Sequence, residues 1–115
     1  DMAIERWFPE EFRVQSPDLM NECRSQQLKN SVKGYVGACQ AIQLADFTDE
    51  LPKIKCQTLV VNGTKDISTP PSLGEELAGL LPNSNFKTLE GIGHVPPLQD
   101  PDLTVKILKE FLSEN

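Results

Sequence analysis

Seven residues near the middle of the chain, Cys56-Gln57-Thr58-Leu59-Val60-Val61-Asn62, set the tightest limit on the fold. They form a compact apolar run rich in β-branched side chains, and Gly63 ends it. Such side chains are stiff and sit well on a pleated surface. A run with little polar alternation reads as a strand covered on both faces, the pattern of a parallel sheet with helices above and below.

The residues that follow continue that pattern. Thr64–Pro71 (TKDISTPP) reads as a loop, and Ser72–Leu81 as a helix with Ser72 and Glu75 spaced as a capping box. Asn85–Leu89 reads as a second short strand, and Gly91-Ile92-Gly93-His94 as a turn. Asp100 and Pro101 open a closing helix with Leu103, Ile107, Leu108, Phe111 and Leu112 on its apolar face. The order strand, helix, strand, helix predicts a parallel pair joined by a right-handed crossover.

Two strands do not complete such a sheet. A two-stranded sheet is marginal in water, and its open edges invite pairing. The expected fold is therefore α/β, with an incomplete parallel sheet that belongs to a larger one. The missing strands would come from a preceding segment, a companion chain, or a second copy pairing through the exposed strand edge.

The first part of the chain reads as helices. Residues 1–48 are expected to form a helical segment and residues 49–115 the α/β segment. Arg6-Trp7-Phe8-Pro9 reads as an aromatic turn, followed by a short helix at Glu10–Arg13. Ser16-Pro17-Asp18 reads as a helix start with Ser16 as its cap. Leu19, Met20, Cys23 and Leu28 form the loose stripe of that helix. A further helix spans Ser31–Leu44, with Val32, Tyr35, Val36, Cys39 and Ile42 at helical spacing. Gly34 and Gly37 weaken it by about 1 kcal/mol each if exposed, or else permit close packing. Phe47–Leu51 reads as one helical turn stopped by Pro52.

Composition narrows the function classes. The 115 residues suit one small domain, with a net charge of −6. Its basic residues are scattered and outnumbered, which disfavours nucleic acid. No apolar run approaches a membrane span, and DMAIERWF lacks the layout of a signal peptide. Cys23, Cys39 and Cys56 are widely spaced, and the chain has one histidine and no C-x-x-C, so a zinc site is not expected. The thiols read as free, buried or partly buried, in a reducing compartment such as the cytoplasm. A cysteine nucleophile is disfavoured, because none of the three lies in a glycine-flanked turn.

Chemistry points to the loops after the two strands, since functional groups collect at the carboxyl ends of parallel strands. The first loop carries Asp66 and the second His94. An aspartate that accepts from one imidazole N–H fixes the tautomer and leaves the other ring nitrogen free to take a proton. Each residue alone also suits a plain turn role, His94 bonded to backbone and Asp66 as a turn former. Both together, in the order acid then base, favour function.

From Leu51 onward the sequence resembles the end of the α/β-hydrolase fold. The segments that carry the resemblance are IKCQTLVVNGTKDISTPP, NFKTLEGIGHVPPLQDP and the closing helix. The resemblance implies that Asp66 is the triad acid and His94 the triad base. Glu5-Arg6-Trp7-Phe8, Gly34-Tyr35-Val36-Gly37-Ala38-Cys39 and Ile42-Gln43-Leu44-Ala45-Asp46-Phe47 are similar to the helical cap of 3-oxoadipate enol-lactonases, hydrolases of aromatic-compound breakdown. This implies a small lactone or ester substrate and no metal or organic cofactor. It also places Trp7, Arg6 and Val95 beside substrate, with Arg6 pairing a substrate carboxylate. Trp7 as a packing residue and Arg6 as a solvated charge are the rival readings. Ser68 and Thr69 read as loop and cap hydroxyls, and Leu98 as core.

One departure is large. No G-x-S-x-G occurs, and none of the seven serines sits in a glycine-flanked elbow. The nucleophile and oxyanion hole would come from an N-terminal hydrolase segment, and this chain alone should be inactive. Two alternatives stay open: a noncatalytic hydrolase relative acting as a binding or assembly module, or a different α/β-hydrolase such as an esterase, carbon–carbon hydrolase or dehalogenase.

Overall fold

The computed structural model describes residues 1–113. Four helices come first: α1 (Met2–Trp7), α2 (Glu10–Gln15), α3 (Pro17–Leu28) and α4 (Val32–Leu44). A 3₁₀ turn at Leu51–Lys53 leads into β1 (Thr58–Gly63), α5 (Pro71–Leu80), β2 (Ser84–Leu89), α6 (Pro96–Gln99) and α7 (Pro101–Ser113). The two strands pair in parallel, from Thr58 opposite Ser84 to Gly63 opposite Leu89. Among the described residues this is a two-stranded sheet, so each strand pairs along one edge only.

The sheet is covered on both faces, as its apolar run predicts. On one face α5 packs against both strands, and Gly74 of α5 lies directly over Asn62 and Phe86. A Cβ at Gly74 would collide with the Asn62 Oδ1, so only glycine allows this approach. On the other face Leu89, Ile92 and Ile107 form a buried cluster, with Leu59, Val61 and Leu103 packed against it. Asp100 caps α7 as expected, its Oδ1 accepting from the Leu103 N–H at 2.9 Å.

A second core lies among the first helices. Ile4, Phe8, Met20 and Cys23 are buried together, and Trp7, Phe12, Leu19 and Val95 pack against them. Val95 belongs to the loop after β2, so this cluster ties the helical segment to the α/β segment. By contrast, every residue from 31 to 50 is exposed. Helix α4 has its cap, Ser31 Oγ accepting from the Gly34 N–H at 3.2 Å, but no buried face.

Several local expectations are corrected. Ser16 precedes α3 but makes no side-chain cap bond. Helix α5 begins at Pro71, which puts Ser72 inside its first turn and removes the capping box. Pro52 lies within the 3₁₀ turn, where a first-turn proline loses no hydrogen bond. Cys39 and Cys56 are exposed, and only Cys23 is buried. Leu98, expected in the core, is 44% exposed and lies in the short helix Pro96–Gln99. Leu108 and Leu112 are also exposed, so the buried stripe of α7 is narrower than its apolar sequence.

Candidate active site

The register of the sheet builds the site. Gly63 and Leu89 end their strands side by side, so the loops that follow start at the same level. Backbone bonding then continues past the strands. The Thr64 N–H donates to Leu89 O at 2.9 Å, and the Lys65 N–H to Ile92 O at 2.8 Å. The Gly91 N–H donates to Thr64 Oγ1 at 2.9 Å. Gly91 has φ of +74°, a left-handed conformation that glycine adopts without strain. A Cβ at Gly63 would overlap the carbonyl oxygens of Ile92 and Gly93, so that glycine lets the two loops touch.

This contact brings Asp66 and His94 together. His94 Nδ1 lies 2.9 Å from Asp66 Oδ2. The Asp66 side chain is 4% exposed and the His94 ring 33% exposed. Burial alone would raise the Asp66 pKa. The Thr69 N–H, the His94 ring, the Thr69 hydroxyl and the Ser68 N–H outweigh it and hold the carboxyl below its ordinary range. A carboxylate only accepts, so His94 Nδ1 carries the proton and donates. The Nε2 of the neutral ring is then the basic nitrogen, which is the orientation of a general base.

The carboxylate is fully engaged. Oδ1 accepts from the Ser68 N–H at 2.8 Å and the Thr69 N–H at 3.0 Å. Oδ2 accepts from the Thr69 hydroxyl at 2.9 Å as well as from His94. Thr69 Oγ1 also stands 3.2 Å from His94 Nδ1. The loop itself is held from the strand, where buried Asn62 donates from Nδ2 to Thr69 O at 2.9 Å.

The helical segment contributes through backbone. The His94 N–H donates to Trp7 O at 2.7 Å, and Ser68 Oγ to Arg6 O at 3.4 Å. A Cβ at Gly93 would overlap Trp7 O, so a second glycine permits this contact. Gln99 braces the turn from below, accepting from the Gly93 N–H at 2.8 Å and donating to Gly91 O at 3.0 Å.

The sequence-predicted residues divide accordingly. Asp66 and His94 are in direct contact. Arg6 and Trp7 reach the two site loops with their carbonyls, while the Arg6 side chain is exposed. The Trp7 side chain packs on the first core and lines two cavities. One, about 230 Å³, includes Leu19, Cys23, Gln26 and Leu98, and the other, about 430 Å³, includes Ile4, Arg24, Leu28 and Tyr35. Val95 packs on the same core. The sequence does not mark Thr69, Asn62 or Gln99 as site residues; only the placement of Thr69 three residues after Asp66 is a signal, since that spacing suits an aspartate-centred turn.

The whole arrangement has close counterparts. An enol-lactonase from Burkholderia xenovorans LB400 superposes with a TM-score of 0.93 at 29% identity, covering 98% of this chain and 43% of that one. A thermophilic esterase from Thermogutta terrifontis superposes with a TM-score of 0.89 at 29% identity, covering 96% of this chain and 41% of that one. This chain carries the C-terminal portion of an α/β-hydrolase fold. Among curated proteins, the 3-oxoadipate enol-lactonase 2 of Acinetobacter baylyi is 28% identical over 99 residues, 86% of this chain and 37% of the enzyme. The chain thus spans about two fifths of the length of these relatives. No family model matches the sequence.

Proposed function

We propose that this chain supplies the acid and base of a serine-type α/β-hydrolase acting on an enol-lactone or a related ester. The observation that carries the reading is the 2.9 Å bond between His94 Nδ1 and the buried Asp66 carboxylate. In the complete site a serine from an N-terminal hydrolase segment attacks the ester carbonyl while His94 Nε2 takes its proton. The ester C–O bond breaks, and the leaving oxygen takes that proton from His94. A water then gives a proton to His94 and attacks the acyl-enzyme carbonyl; the bond to the serine oxygen breaks, His94 returns the proton to that oxygen, and acid and free serine are released. Asp66 holds the imidazole and stabilises its charged form throughout.

In this reading residues 1–48 form the cap segment and residues 49–115 the core segment. The similarity to the Acinetobacter and Burkholderia lactonases supports the substrate class. Trp7, Arg6 and Val95 border the substrate space, and the two cavities beside the Trp7 ring support that placement for Trp7. The N-terminal segment would pair with the open edge of the sheet, in the cytoplasm. No helix among the described residues is long and apolar enough to cross a membrane.

A second reading is an assembly module without catalysis. The sheet's open edges and the exposed helix α4 favour it, because both are surfaces that a partner or a second copy would cover. Complementation separates the two. The chain is combined with an α/β-hydrolase N-terminal segment carrying G-x-S-x-G, and enol-lactone and simple ester hydrolysis are assayed. The catalytic reading predicts turnover by the assembly and none by either part. A folded assembly that binds tightly and hydrolyses neither substrate favours the module.

A further inference from the structure

We infer that Thr69 is a positioning residue of the Asp66–His94 pair, its hydroxyl serving both partners at once. The inference rests on the catalytic reading for its consequence, while its geometry stands independently. Thr69 Oγ1 lies 2.9 Å from Asp66 Oδ2 and 3.2 Å from His94 Nδ1. A carboxylate cannot donate, so the hydroxyl proton points to Oδ2. The oxygen lone pairs are then turned toward the Nδ1–H, which is shared between Oδ2 and Oγ1. The three groups close a triangle, and the imidazole has two acceptors fixing its tautomer and rotation.

Thr69 is itself anchored at three points. Its carbonyl accepts from Asn62 on β1, its N–H donates to Asp66 Oδ1, and its hydroxyl is in the triangle. Asn62 is in turn pinned under Gly74. The hydroxyl therefore carries the order of the sheet into the catalytic pair. It also competes with His94 for one carboxylate oxygen, which lowers the basicity of Asp66 and keeps the proton on the imidazole when the ring is charged.

The test contrasts Thr69→Val with Thr69→Ser in the 115-residue chain. Valine keeps the shape and removes the hydroxyl; serine keeps the hydroxyl and removes the methyl. The Asp66 carboxyl is titrated by carbon NMR, and the His94 tautomer is read from its ring nitrogen shifts. In T69V the Asp66 midpoint should move upward, toward the ordinary carboxylate range, and the Nδ1–H tautomer fraction should fall. T69S should match the unsubstituted chain in both. If T69V titrates like the unsubstituted chain, or folded T69S is shifted as far as T69V, Thr69 is only packing and the inference is wrong. Should T69V not fold, Thr69→Ala, which also lacks the hydroxyl, takes its place with the same expected shifts and the same refuting result. Neither readout needs turnover, so failure here is distinct from failure of the hydrolase assignment.

Discussion

Gly63→Ala and Gly37→Ala make the same chemical change with opposite expected signs. A Cβ at Gly63 would overlap the Ile92 and Gly93 carbonyl oxygens; both are backbone atoms, and Ile92 O accepts from the Lys65 N–H at 2.8 Å. The two site loops must separate to admit it. Overpacking of this kind costs about 1–3 kcal/mol, and losing the Lys65–Ile92 bond adds about 1 kcal/mol. The sum, about 2–4 kcal/mol, is a large loss for a chain whose two-stranded sheet is marginal by itself. Gly37 has nothing within 4 Å of its built Cβ and lies in an exposed helix. Alanine there should stabilise by about 0.4–1 kcal/mol through helix propensity and unfolded-state entropy. Urea unfolding followed by circular dichroism reads both. G63A should lower the midpoint sharply and disturb the His94 ring signals; G37A should raise the midpoint slightly and leave the ring unchanged. A G63A midpoint equal to the unsubstituted chain would refute the close approach on which the site depends.

Other consequences follow from the same contacts. Because the Asp66 pKa is lowered in the folded state, its stabilisation is present above the unfolded carboxylate value, near pH 4, and is lost as pH falls through the folded value. Comparing acid unfolding of Asp66→Asn with the unsubstituted chain should show a gap at neutral pH that closes on acidification; a gap independent of pH contradicts the hydrogen-bonded carboxylate. Phe8→Ala removes a fully buried ring from the first core and should cost about 3–5 kcal/mol, with a shift of the His94 amide signal because the neighbouring Trp7 carbonyl holds that N–H. Asp100→Ala should cost about 1 kcal/mol by uncapping α7, measured by thermal unfolding.

The chain shows which features a sequence states directly. The β-branched run at 58–61 and the Asp100-Pro101 start are local signals, and both elements stand where those signals put them. The pairing of Asp66 with His94 is legible because strand order is enough to predict it. The contacts that hold the pair are not, since they run between distant segments. Nothing near Trp7 says that its carbonyl receives the His94 N–H, and nothing near Asn62 says that its amide holds Thr69. The failed Ser72 cap has a local cause: Pro71 takes the first position of α5, so the helix starts before Ser72 can cap it. Cys39 and the apolar residues of α4 read as buried because helical spacing implies a covered face. In this structure that face is exposed, and spacing alone cannot say what covers it.

The most direct measurement is hydrolysis by the assembled enzyme with His94→Ala and Asp66→Asn, each normalised to the amount of folded complex. If His94 is the base and Asp66 its orienting acid, His94→Ala should lower kcat by about 10⁶-fold and Asp66→Asn by about 10⁴-fold, while binding of the N-terminal segment is retained. Full activity in either variant would contradict the assignment.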